Sequence, residues 1–241
     1  MNNLILDFGN TNVKIAIVNN TEQLYFSTKE ILNVSVIFKL KKKYEFQNII
    51  ISSVIDIDEE LENYLQSNYK VIKLSYTTPI PIRNDYKTTL TLGYDRIACA
   101  VAAHHLFPDS HCLVIQMGSC ITYDFINKKG TYLGGGISPG LLMRFKTLHF
   151  YTEKLPLITY KPISFLIGDT TDNSILSGVI HGIINESNGF IKKYKNEYKE
   201  LKIIVTGGDM SKFEKELSDE VVAYPNLVLF GLSLILNYNV K

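Results

Sequence analysis

The sequence predicts an α/β protein of two duplicated domains, each a mixed sheet flanked by helices. Two observations carry this expectation. Short apolar runs alternate with segments of helical periodicity along the chain. The opening pattern Leu4-Ile5-Leu6-Asp7-Phe8-Gly9-Asn10 then returns as Leu113-Val114-Ile115-Gln116-Met117-Gly118-Ser119. The order hairpin, strand, helix, strand, helix therefore occurs twice, and the expected domains are 1–110 and 111–241.

In the first half, Leu4–Asp7 reads as a buried strand, Gly9-Asn10-Thr11 as a tight turn and Val13–Val18 as a second strand. Leu24–Ser27 adds a third strand and Lys29–Lys43 a helix. Ile49-Ile50-Ile51 is a short buried strand, Glu59–Asn68 a helix and Val71–Leu74 another strand. After the turn-rich stretch Thr77–Asn84, a helix is expected over Tyr94–Leu106, with Ala98, Ala102, Ala103 and Leu106 at helical spacing. In the second half, Ile121–Ile126 follows the repeated strand, then a turn at Lys128-Lys129-Gly130, a strand at Tyr132-Leu133 and a helix after Pro139. A long helix over Thr171–Tyr194, a strand at Ile203–Val205, a Gly207-Gly208 turn and a closing helix complete the half.

Composition narrows the function classes. With 46% apolar and 20% charged residues the chain reads as globular, not disordered. A net charge of +1, with lysines dispersed, gives no electrostatic case for nucleic acid or for an anionic membrane. Cys99, Cys112 and Cys120 are odd in number and lack C-x-x-C spacing, which fits a reducing compartment better than a disulfide or zinc scaffold. Acidic Asp7 and polar Asn10–Asn12 sit where a signal peptide would be most apolar. The most apolar stretch, Leu227–Leu236, falls short of the ~20 residues that span a bilayer and reads as a core-facing helix. A soluble, cytoplasmic protein is expected.

Four strand-end turns can carry chemistry. Asp7-Phe8-Gly9-Asn10-Thr11-Asn12-Val13-Lys14 closes a buried strand with a carboxylate and opens a turn of backbone N–H groups and hydroxyls. Such a turn can hold phosphate oxygens, with the carboxylate orienting hydrated Mg²⁺ and Lys14 facing the same charge. An ordinary hairpin uses the same residues. Gly93-Tyr94-Asp95-Arg96 opens a helix; Asp95 can accept a hydroxyl proton and Arg96 can fix an anion, though Asp is also common as a helix-start residue. Gly134-Gly135-Gly136-Ile137-Ser138-Pro139-Gly140 is too glycine-dense for a plain strand, and reads either as a close approach of backbone or ligand or as a loop. Thr206-Gly207-Gly208-Asp209 can lie against a nucleotide or simply cap the next helix. Walker-type and Gly-x-Gly-x-x-Gly loops are absent. A bilobed fold would bring the four turns to one cleft. Together they point to transfer of the γ-phosphoryl group of ATP to a small alcohol.

In this order and spacing the residues resemble those of type III pantothenate kinases, of the acetate-and-sugar-kinase, heat-shock ATPase and actin superfamily. The family's Asp-x-Gly-Asn-Thr-x-x-Lys is met by Asp7–Lys14, and its Tyr nine residues before the Asp of Gly-x-Asp-Arg by Tyr86 and Asp95. Its Gly-Gly-x-Ile-x-Pro-Gly is met by Gly134–Gly140, its Thr-x-x-Leu-Pro by Thr152–Pro156, its Gly-x-x-Thr by Gly168 and Thr171, and its late nucleotide turn by Thr206–Asp209. The resemblance implies ribonuclease H-like (actin-like) domains with the active site in the interdomain cleft, and ATP-dependent phosphorylation of pantothenate, the first step toward coenzyme A. By position it implies an ATP site of Asp7–Lys14, Ser119, Gly207 and Gly208; Asp7 placing Mg²⁺ through water; Asp95 as general base; and Tyr86, Gly93, Tyr94, Arg96 and Thr171 on pantothenate. It further implies a homodimer and a monovalent cation, K⁺ or NH₄⁺.

Two departures stand out. The family's second Asp-x-Gly-Thr is Gln116-Met117-Gly118-Ser119 here. Ser119 keeps the hydroxyl, but the neutral Gln116 should hold the cation more weakly, and a reduced potassium requirement is expected unless Asp124 compensates. Thr88-Thr89 replaces the family's usual Asn-Pro in the substrate loop. The scaffold also serves other small alcohols. A nucleotide-binding regulator without catalysis is the reading from another class, although Asp7, Asp95 and Arg96 are all retained.

Overall fold

The computed structural model describes residues 2–9, 12–19, 22–217 and 221–240. It divides into two compact units, Met1–His105 with Leu227–Lys241, and Leu106–Asn226. The first holds β1 (Asn2–Phe8), β2 (Val13–Asn19), β3 (Glu22–Lys29), α1 (Val34–Tyr44), β4 (Phe46–Ser53), α2 (Glu59–Asn68), β5 (Lys70–Lys73), a two-residue strand β6 (Arg83–Asn84) and α3 (Tyr94–Leu106). The second holds β7 (Cys112–Met117), β8 (Cys120–Ile126), β9 (Thr131–Pro139), α4 (Leu141–Phe150), α5 (Thr171–Glu197), β10 (Lys202–Thr206), α6 (Met210–Phe213) and β11 (Val221–Ala223). The last helix, α7 (Leu227–Asn239), returns to the first unit.

The duplication is explicit in strand order. In the first unit it is β3-β2-β1-β4-β5. In the second, the corresponding strands run β9-β8-β7-β10-β11. In each unit a three-stranded antiparallel meander leads into parallel neighbours, β1 beside β4 and β7 beside β10. Parallel strands need a crossover, and α1 supplies it in the first unit. One face of each sheet is packed by helices. Leu4, Leu6, Phe8, Ile15, Ile49 and Ile51 meet Ile37, Leu40, Leu61 and Leu65 of α1 and α2. In the second unit Leu113, Ile115, Tyr123 and Val205 meet Phe145 of α4 and Leu176, Ile180 and Ile183 of α5.

Three sequence expectations need correction. The helix expected over Lys29–Lys43 starts at Val34, because the Asn33 side chain accepts the Val36 N–H at 3.2 Å and caps it there, while β3 continues through Lys29. The strand expected at Tyr132-Leu133 is longer, and of the two readings of the glycine run the close approach of backbone holds and the loop does not. β9 extends through it to Pro139, and a Cβ on Gly135 would overlap the Tyr123 carbonyl of β8, so the close neighbour there is backbone. Finally, 227–241 does not belong with the second half. α7 packs on β1 and β4, and Asn3 donates to Asn237 at 2.8 Å while accepting from Asn48 at 3.1 Å. Among the described residues no helix is long and apolar enough to cross a membrane.

α7 also lies hard against α3, where a Cβ on Gly231 would overlap the Ala98 carbonyl oxygen. Gly231→Ala should therefore cost about 1–3 kcal/mol, outweighing the ~1 kcal/mol of helix propensity it gains. A thermal melt should show a lowered midpoint; a raised one would mean that the two helices are not in contact at this position.

Candidate functional site

Asp7 sits one residue from the end of β1, on the sheet face opposite Leu6 and Phe8. Strand pairing places Lys14 beside it on β2 and Ser52 on β4. Asp7 is 8% exposed; Ser52 Oγ donates to its Oδ1 at 3.0 Å, and Lys14 Nζ lies 3.6 Å from its Oδ2. Burial raises the Asp7 pKa, Lys14 and the Ser52 hydrogen bond pull it down, and the Asp95 carboxylate adds to the rise; the net direction is upward. The turn beyond is closed by a Gly9 N–H bond to the Asn12 carbonyl at 3.1 Å. Phe8 and Val13 are buried and pair across the hairpin, whereas Gly9 and Asn12 are half-buried. Asn10 and Thr11 lie outside the described residues.

The second cluster belongs to the same unit. Asp95 and Arg96 lie in the first turn of α3, and Asp95 Oδ1 accepts the Arg96 N–H at 2.9 Å. A side chain on Gly93 would press on that oxygen at 2.6 Å, so glycine leaves room for the carboxylate. Arg96 is buried, and its guanidinium lies 5.6 Å from the Tyr86 ring centre. The Tyr86 N–H in turn bonds Asn84 Oδ1 at 3.0 Å. Tyr94 begins the same helix. Tyr86, Asp95, Arg96 and Asp7 are thus brought together by one domain.

In the second unit the pairing repeats with different chemistry. Gln116 occupies the Asp7 position, Thr122 that of Lys14 and Thr206 that of Ser52. Asp124 is buried and accepts from Thr122 Oγ1 and from the Tyr132 hydroxyl, each at 2.7 Å. Ser119 is exposed in the β7–β8 turn. Gly207 has φ +101°, and a Cβ there would also overlap the Met117 carbonyl. Nothing lies within 4 Å of a Cβ placed on Gly208, so packing does not demand glycine at that position. Asp209 stands at the N-cap position of α6 without capping it, and pairs instead with Lys212. Thr171 is the exposed first residue of α5, which Thr170 caps through the Asn173 N–H at 3.1 Å. Thr152 serves structure, accepting the Leu155 N–H at 3.3 Å.

Among the described residues there is no group of three metal-binding side chains. One buried carboxylate with hard oxygen donors suits Mg²⁺ that arrives with phosphates and keeps its waters, not a caged ion. Sequence reasoning did not single out Ser52. Its only local signal was a hydroxyl just after Ile49-Ile50-Ile51.

A ROK hexokinase structure from Thermus thermophilus superposes with a TM-score of 0.55 at 12% identity, covering 100% of both chains. The chain shares the fold of that structure, and its own two sheets define a duplicated α/β protein. A model of the type III pantothenate kinase family matches residues 3–193. Proteins of that name from Christiangramia forsetii and Phocaeicola vulgatus are 43% identical over 242 residues and 40% identical over 240 residues, covering 98% and 99% of both partners respectively. The chain belongs to the type III pantothenate kinase family.

The raised Asp7 pKa has a consequence for stability. The native state binds this proton more tightly than the unfolded chain does, so stability falls as pH rises from the usual aspartate range through the native value. Asp7→Asn should therefore raise the unfolding free energy at pH 7. The gain should shrink as pH falls and vanish below about pH 3, where the carboxyl group is neutral in both states. A loss of stability at pH 7 would show that Lys14 and Ser52 outweigh burial.

Proposed function

We propose that this protein transfers the γ-phosphoryl group of ATP to the primary hydroxyl of pantothenate, releasing ADP. The observation that carries the reading is the convergence, in a member of this family, of Asp7 and Lys14 with Asp95, Arg96 and Tyr86 in a single unit. Asp95 accepts the hydroxyl proton as the oxygen bonds to phosphorus, and Arg96, stacked on Tyr86, pairs with the pantothenate carboxylate. Gly93, Tyr94 and Thr171 complete the pantothenate contacts. The Asp7–Lys14 turn, Asn10 and Thr11 included, holds phosphates, with Ser119, Gly207 and Gly208 on the nucleotide. Asp7 orients hydrated Mg²⁺, which when bound neutralises phosphate charge.

The monovalent cation of the family would fall to Gln116, which brings an oxygen but no charge; Asp124 is already held by two hydroxyls. The potassium requirement is therefore reduced. Exposed Ile137, Leu142, Phe150, Tyr151, Leu166 and Ile167 of the second unit suit a homodimer, and three cysteine thiols suit the cytoplasm.

Purified protein with ATP, Mg²⁺ and pantothenate should form phosphopantothenate and retain much of its activity without potassium. Asp95→Asn should fold, bind ATP and lose roughly 10²-fold or more in turnover. Phosphorylation of another alcohol but not pantothenate would refute the substrate. Unchanged turnover would reduce Asp95 to a helix-start residue.

A further inference from the structure

Ser52 is 1% exposed and lies directly beside Asp7 in the parallel pairing of β1 with β4. The β4 face it occupies is opposite the Ile49 and Ile51 side chains that fill the core under α1 and α2. Its hydroxyl spends its one proton on Asp7 Oδ1 at 3.0 Å, on the side away from Lys14, which approaches Oδ2 at 3.6 Å. The two neighbours therefore hold opposite oxygens and fix the plane of the carboxylate. A buried hydroxyl is costly unless it is hydrogen-bonded, so this bond is strongly retained. At the same register of the second unit stands another buried hydroxyl residue, Thr206, also 1% exposed, beside Gln116. A hydroxyl on the parallel neighbour is thus common to both halves, although the residue it faces has changed from acid to amide.

We propose that Ser52 is a positioning residue of the phosphoryl-transfer site, locking Asp7 so that Oδ2 is presented toward the Lys14 side where the hydrated cation and phosphates are handled. This rests on the reading of Asp7 as the magnesium-orienting carboxylate. Ser52 itself touches neither substrate nor metal. Partners that orient a directly ligating group are worth about 10–100-fold in metal affinity, and a carboxylate that holds the ion through water calls for the lower end.

The test compares Ser52→Ala, Ser52→Thr and Asp7→Asn with the native protein. Two quantities are read: the Mg²⁺ concentration at half-maximal turnover, and Mn²⁺ affinity by electron paramagnetic resonance with a non-hydrolysable ATP analogue. Ser52→Ala should weaken both about tenfold, leave the pantothenate KM unchanged, and be rescued by Ser52→Thr, since the equivalent position already holds threonine. If Ser52→Ala keeps both within twofold while Asp7→Asn weakens them, Ser52 is only a packing residue and the inference fails alone. It fails in the same way if Ser52→Ala lowers the melting midpoint without moving either quantity. If Asp7→Asn also leaves metal binding unchanged, the reading of Asp7 fails and takes this inference with it. Should Ser52→Thr not fold, the alanine variant decides the question.

Discussion

The structure turns on one unfavourable placement: a carboxylate nearly removed from water at the end of a central strand. Asp7 has Lys14 on one oxygen and Ser52 on the other, and these two neighbours only partly offset the cost of burial. A fold accepts such a cost where the charge is needed. A desolvated, fixed carboxylate interacts with an arriving cation far more strongly than a hydrated, mobile one. The surrounding apolar pairs, Leu6 with Ile15 and Ile51 and Phe8 with Val13, hold the strand end rigid so that the carboxylate cannot swing out to water.

Duplication offers an internal control on that interpretation. The same strand position in the second unit carries Gln116, flanked by Thr122 and Thr206 in place of Lys14 and Ser52. The second unit carries neither the carboxylate nor the lysine at these positions, so no buried charge has to be balanced there. The backbone register is the same and the chemistry differs. The second half retains its own acid two residues further along β8, where Thr122 and Tyr132 satisfy Asp124.

How much was legible in the sequence follows from how local each feature is. The strands on either side of the Asp7–Lys14 motif, the helices at Glu59–Asn68 and Tyr94–Leu106, and the repeated strand order are written in contiguous residues, and the structure reproduces them. The glycine run left two readings open because composition alone does not reveal what approaches a glycine; at Gly135 it is the backbone of the neighbouring strand, as one of them held. Ser52 escaped because its significance exists only once β4 lies parallel to β1 and in register. The return of α7 to the first unit was equally hidden, since an apolar helix does not state which sheet it covers. β11, a three-residue edge strand with two exposed positions, gave too weak a pattern to notice.

The most direct test is to titrate Asp7 itself by carbon-detected NMR, in ligand-free protein with ¹³C-labelled aspartate and with Asp7→Asn for assignment. A midpoint above the usual aspartate range, moving higher still when Lys14 is replaced by methionine, is the predicted result. A midpoint at or below the ordinary aspartate value, insensitive to that replacement, would mean that the carboxylate is solvated and that the site is not organised around a buried charge.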